Sequence, residues 1–87
     1  MHAVVATVHV ESPENARSML ESSRVPLVQR APGMVCGYWL EPIDGKGMSI
    51  IVFETKEEAE AAAAYPLPPM AGVTPLALEI REVYAHV

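Results

Sequence analysis

The chain has 87 residues, 51% of them hydrophobic, and a formal net charge of −5. A chain of this length forms one domain, residues 1–87, with a thin core, because it buries only about 60% of its unfolded surface. The apolar content excludes a disordered chain, and an acidic balance without a basic patch excludes an electrostatic surface for nucleic acid.

The first predicted element is a strand over His2–Val10, where β-branched residues alternate between two faces. Val4 to Val10 supply an apolar stripe on one face, and His9 lies on the other. The segment lacks the basic region and cleavage site of a signal peptide, and no apolar run reaches the roughly 20 residues of a membrane span. We therefore expect a cytoplasmic protein that does not enter the membrane.

Helix start signals follow at Ser12, which can cap a helix, with Pro13 in the first turn and Glu14 near the positive end of the helix dipole. The predicted apolar stripe of this helix comprises Ala16, Met19, Leu20 and Ser23. Pro26 bars a straight continuation, although the residues after it can add a helical turn before Pro32 ends the segment.

Two strands, from about Met34 to Leu40 and from about Gly47 to Glu54, are predicted as a hairpin. Asp44 and Gly45 form a good turn pair. The connection is predicted to be longer than two residues, so the type of turn stays open.

The second predicted helix begins at a capping box, Thr55 with Glu58 three residues later, and runs to Pro66. Its buried stripe consists only of alanines, so the helix can lie close against a sheet. These alanines are Ala59, Ala62 and Ala63. A stiff, proline-rich connection then leads to a fourth strand from about Leu76 to Tyr84.

The predicted element order is βαββαβ, which is typical of ferredoxin-like folds of the α+β class. In such a fold both helices pack on one face of a four-stranded antiparallel sheet. The predicted hairpin, however, is apolar on both faces, with Ile50 and Val52 on one and Ile51 and Phe53 on the other. Leaving either set in water costs about 1.5–3 kcal/mol for each large side chain. We therefore expect a homodimer in which the sheets of two chains face each other.

Three segments carry a resemblance to a known family: "APGMVCGYWL" after helix one, "GMSIIVFETKEEAEAAA" across strand three and helix two, and "LEIREVYAHV" at the end. Together with the element order they resemble the dimeric α+β barrel superfamily, and within it small proteins related to the antibiotic-biosynthesis monooxygenases. The resemblance implies a homodimer whose two sheets close into a barrel, with a small apolar or aromatic molecule in its cavity.

The same resemblance implies oxygenase chemistry without a metal or flavin cofactor, in which a base deprotonates the substrate and donors hold the enolate. Haem-degrading relatives carry a Trp near the end of strand three, a His on helix two and an Asn on strand one. This chain has Phe53, the alanines 61–64, and Thr7 and His9 at the matching places. The difference argues against haem degradation.

His9 is the candidate catalytic residue. It points away from the stripe of Val4 to Val10, into the cleft between the sheet and a partner, where a neutral imidazole can take a proton near pH 7. The alternative is a strand-end histidine paired with Glu11 or with solvent.

The candidate ligand-binding residues are Tyr38, Trp39, Phe53, Glu79 and Arg81. Tyr38 and Trp39 are sequence neighbours and so face opposite sides of the sheet. Either can donate a hydrogen bond to a ligand, and either can instead pack in the core or an interface. Glu79 and Arg81 share a face of strand four, where an exposed or interfacial ion pair is the alternative to a substrate clamp.

Three functional classes stay open: a cofactor-free oxygenase or isomerase, a non-catalytic binder of a small apolar ligand, and a structural dimerisation module. Cys36 is the only cysteine, which excludes an intramolecular disulfide and a CxxC metal site. The histidines lack the local spacing of zinc ligands, so we expect no metal and no cofactor.

Overall fold

The computed structural model describes residues 1–87, whose elements follow the order βαββαβ with a first helical segment in three parts. The strands are β1 (His2–Val10), β2 (Met34–Ile43), β3 (Lys46–Phe53) and β4 (Val73–Glu82). The helices are α1 (Pro13–Met19), α2 (Val25–Gln29) and α3 (Lys56–Ala64). The sheet order is β2-β3-β1-β4, and all neighbouring strands are antiparallel. The predicted α+β class is confirmed, and the topology is consistent with a ferredoxin-like fold.

The first helical segment begins as predicted and continues past Pro26, as the sequence allowed. The Ser12 hydroxyl accepts a hydrogen bond from the Asn15 N–H at 3.5 Å, and α1 leads into a π-helical turn, Leu20–Arg24, before α2. Proline lacks an N–H, and its ring crowds the carbonyl four residues earlier in a regular helix. The wider turn relieves that crowding, and the helical segment continues to the end of α2.

The β2–β3 connection is shorter than predicted. The strands extend to Ile43 and from Lys46, which leaves only Asp44 and Gly45 as the turn. Their φ angles are 52° and 78°, and two positive values in a two-residue loop identify a type I′ hairpin turn. Pro42 is accommodated in β2 because the register shifts between Leu40 and Ile43, and a bulge does not need the missing N–H.

The second helix confirms its prediction. The Glu58 N–H donates to the Thr55 hydroxyl at 3.2 Å, and that hydroxyl donates to the Glu58 carboxylate at 3.0 Å. Ala59 is fully buried and forms the centre of the core with Val4 and Phe53. Alanine side chains on α3 therefore bring the helix close to the sheet.

The last strand, β4, begins at Val73, three residues earlier than predicted. Pro75 lies within it, opposite Val8, where the pairing register shifts between Thr7 and Val8. Because β4 is an edge strand, a bulge there tolerates a proline. None of the helices combines the length and the apolar composition that crossing a membrane requires.

The pairing register assigns each strand residue to one of two faces. Val4 lies opposite Ile51 on one side and Ile80 on the other, and all three pack towards α3. We call this side of the sheet the helix face. The opposite side, the open face, carries large apolar side chains from three strands: Val5, Tyr38, Leu40, Met48, Ile50 and Val52. Tyr38 is 60% exposed and Leu40 is 48% exposed, so a single chain leaves the open face largely uncovered.

Candidate ligand-binding cavities between the helices and the sheet

Two cavities lie between the helices and the helix face. The smaller has a volume of about 490 Å³ and the larger of about 750 Å³. They share four wall residues: Ala6, Arg24, Trp39 and Ser49. The cavities therefore adjoin, and these four residues form their common wall.

The larger cavity is mainly apolar, with 14 hydrophobic residues among the 20 that line it. The sheet contributes Ile51 and Leu78 to its walls, and α2 contributes Leu27 and Val28. Glu57 and Glu58 of α3 also line the cavity, and the apolar walls on this helix are alanines, residues 61–63. Because these side chains end at Cβ, the helix can sit close to the sheet at Ala59 and still leave space further along.

The smaller cavity lies beside α1 and has a more polar rim. Its apolar walls include Ala16 and Leu20, and its charged residues include Glu14, Arg17 and Glu41. Arg17 is already paired with Glu21 at 3.3 Å, one turn along the helix. The rim charges of this cavity therefore belong to exposed parts of the helix and the hairpin.

Trp39 is the aromatic residue that faces the cavities. It is directly opposite Ser49 on β3 and is half-buried. Its ring lies over Gly37, where an added Cβ would be 3.4 Å from the six-membered ring of the indole. The structure thereby answers which of the two neighbouring aromatics faces the helices: Trp39 does, and Tyr38 lies on the open face.

Arg24 is a cavity residue that the sequence analysis missed. The predicted stripe included Ser23, but Ser23 is exposed and donates to the Met19 carbonyl at 3.0 Å. Arg24, the next residue, takes the inward position and lines both cavities. Its guanidinium donates to the Pro68 carbonyl at 2.6 Å, and burial lowers the pKa of Arg24 from its ordinary value. Regular helical spacing from Ala16 and Leu20 includes residue 24, but a stripe read from apolar and small residues leaves out a charged one.

The six predicted site residues are divided between the two faces of the sheet. Trp39 lines both cavities, and Phe53, 2% exposed, lies at the end of the larger one. Glu79 and Arg81 lie on the open face of β4, where their side chains form an exposed ion pair at 3.1 Å. One chain therefore does not bring the six residues together.

His9 also lies on the open face and is exposed. Its ring lies beside the hairpin turn, with Cε1 2.9 Å from where a Cβ on Gly45 would be. His9 pairs with Lys46, whereas Tyr38 pairs with Ile50, four residues further along β3. Four residues of a strand span about 13 Å, so His9 and Tyr38 are far apart along the open face.

Comparison of the chain with protein-family models, with characterised proteins and with solved structures finds no match. No three His, Cys, Asp or Glu side chains lie together in a metal-binding group. The candidate site is therefore described by its own geometry: two adjoining cavities with an arginine, a tryptophan and a serine on their common wall.

Proposed function

We propose that this protein is a homodimer of the dimeric α+β barrel type that binds a small, largely apolar or aromatic molecule in its larger cavity. The observation that carries the proposal is the cavity itself, about 750 Å³ with 14 hydrophobic residues among 20. Sites for small ligands have volumes of about 300–1,000 Å³, mostly apolar walls and a few polar groups. The larger cavity meets all three criteria.

Trp39 gives the cavity a preference for flat ligands. An indole offers an aromatic face for offset or edge-to-face stacking, and Trp39 donates no side-chain hydrogen bond within the chain, so its N–H is free for a ligand. The alanines of α3 and the side chain of Leu78 form apolar walls of the same cavity. An aromatic ring system with few polar groups fits these walls.

The dimer follows from the open face. Strands about 4.8 Å apart and about eight residues long give the four-stranded sheet a face of about 500 Å². Two such faces bury about 1,000 Å², the lower end of specific interfaces. A second copy of the chain is the partner we propose, because a two-fold axis sets the apolar residues of β1, β2 and β3 against an identical apolar surface.

Binding, and not catalysis by His9, is the function that the cavity supports best. His9 lines neither cavity, so a base at this position would serve a ligand held between two facing sheets. Its role as a general base stays a prediction. Comparing ligand binding by the wild type and by His9→Ala separates the two sites, since a ligand in the larger cavity binds both proteins equally.

A thermal-shift screen of aromatic polyketide-like and quinol compounds tests the proposed function. A ligand at 100 times its Kd stabilises the folded state by about 2.7 kcal/mol, which raises the Tm of a domain of this size by roughly 10 °C or more. Ala62→Phe should reduce this response, because residue 62 lines the larger cavity and the ring would project into the space that the ligand occupies.

The control is Ala64→Phe on the same helix, at an exposed position outside both cavities. It should respond to the same compounds as the wild type does. If no compound raises the Tm, or if Ala62→Phe responds like the wild type, the larger cavity is not the binding site. The result would then favour the alternative of a structural dimerisation module.

A further inference from the structure

Arg24 is the one charged side chain on the common wall of the two cavities. A guanidinium carries five N–H donors, and Arg24 uses its Nη2 in one hydrogen bond, to the Pro68 carbonyl. The two ion pairs of the chain, Arg17–Glu21 and Glu79–Arg81, do not include it. Arg24 is therefore a half-buried cation without an anionic partner in the chain.

A cation withdrawn from water is disfavoured unless it is paired. An arginine cannot relieve this cost by losing its proton, because it stays charged in proteins. The bond to Pro68 also holds the side chain towards the connection that follows α3, beside both cavities. The glutamates on the cavity walls do not pair with Arg24: Glu58 is bonded to Thr55, and the others form no ion pair with it.

Two more free donors lie on the same wall. Trp39 and Ser49 are direct cross-strand partners, and neither the indole N–H nor the serine hydroxyl makes a side-chain hydrogen bond within the chain. Three of the four common wall residues therefore present unused donors, and the fourth, Ala6, is apolar. Three donors on a common wall that holds no acidic side chain favour an acidic group on the ligand.

We propose that Arg24 binds the carboxylate of an apolar monocarboxylic acid whose body occupies the larger cavity against Trp39. The planar guanidinium matches a carboxylate with two parallel N–H···O bonds. Ser49 and Trp39 can donate to the same group or to a neighbouring oxygen. This inference rests on the proposed function, since it names the residue that binds the polar end of a ligand whose apolar end lies in the larger cavity.

Two probes of nearly equal shape distinguish the contribution of the ligand's charge to binding from that of its apolar body. They are 2-naphthoate, which is an anion, and 2-naphthamide, which is neutral. Calorimetric titration at low salt should show that the wild type binds the naphthoate about tenfold more tightly or better, as a charge-assisted pair implies. Arg24→Gln should lose this preference while its affinity for the naphthamide stays within about twofold. Arg24→Lys should keep part of the preference, because it retains the charge without the planar fork.

The control is Lys56→Gln, which removes a positive charge from an exposed position outside both cavities and should keep the full preference. Equal binding of both probes by the wild type overturns the role of Arg24 and leaves the proposed function standing. Failure of both probes to bind contradicts the proposed function as well. A preference that persists in Arg24→Gln also overturns the inference. If circular dichroism shows that Arg24→Gln is unfolded, the comparison of the wild type with Arg24→Lys tests the inference instead.

Discussion

Replacing Phe53 by alanine should lower the free energy of unfolding by about 3–5 kcal/mol, the usual cost of removing a fully buried phenylalanine. Phe53 is 2% exposed and has the largest fully buried side chain of the chain. It packs with Val4 and Ala59 in the core that holds α3 on the sheet. A small domain is stable by about 5–15 kcal/mol, so this variant should be close to unfolding. Urea denaturation followed by far-UV circular dichroism measures the change.

Tyr65→Ala is the control for Phe53→Ala, because Tyr65 is also aromatic but 61% exposed. Exposed substitutions of this kind change stability by about 0.5 kcal/mol. If Phe53→Ala costs no more than Tyr65→Ala, the core is not centred on Phe53 and α3 is held on the sheet by other contacts.

Replacing Ile50 by aspartate should dissociate the proposed homodimer. Ile50 lies on the open face of β3, opposite Val5 and Tyr38. Each chain contributes one such residue to a two-fold interface, so two apolar contacts worth about 1.5–3 kcal/mol each are lost, and two carboxylates are buried besides. The dissociation constant should therefore rise at least about a hundredfold. Sedimentation equilibrium at micromolar concentration should give twice the 9.4 kDa chain mass for the wild type and the chain mass for the variant.

Leu67→Asp is the matched control for Ile50→Asp. Leu67 is an exposed apolar residue that lines the larger cavity, on the other side of the sheet, so its replacement should leave the dimer intact. A wild type that sediments as a single 9.4 kDa chain contradicts the dimer, and so does an Ile50→Asp variant that remains dimeric.

Local signals in the sequence predicted most elements, and prolines account for most of the differences. The alternation of residues between two faces predicted β1 with the bounds that it has in the structure, and the caps at Ser12 and Thr55 formed as predicted. Pro26 was expected to bar a straight continuation of the helix and Pro75 to lie in the connection before the fourth strand, but a π-helical turn and a bulge accommodate them. Both devices add one residue to an element, and a residue pattern does not show where an extra residue is inserted.

The candidate site was less predictable, because the face on which a strand residue lies depends on the whole sheet. Alternation predicted that Tyr38 and Trp39 face opposite sides, but only the pairing with Ser49 and the position of the helices place Trp39 beside the cavities. Arg24 escaped prediction for a different reason, since it shares a helix face with Ala16 and Leu20 but is charged and was left out of an apolar stripe. An apolar pattern does not show which charged residue of a helix lies beside a cavity.

The location of a bound ligand tests the central claim most directly, and methyl resonances report it. In protein labelled at its methyl groups and titrated with 2-naphthamide, the methyls of Ala6, Ala62 and Leu78, which line the larger cavity, should shift in the NMR spectrum. Those of Val5 and Val52, on the open face, should stay in place. Shifts confined to Val5 and Val52, or no shift at any methyl group, would contradict a binding site between the helices and the sheet.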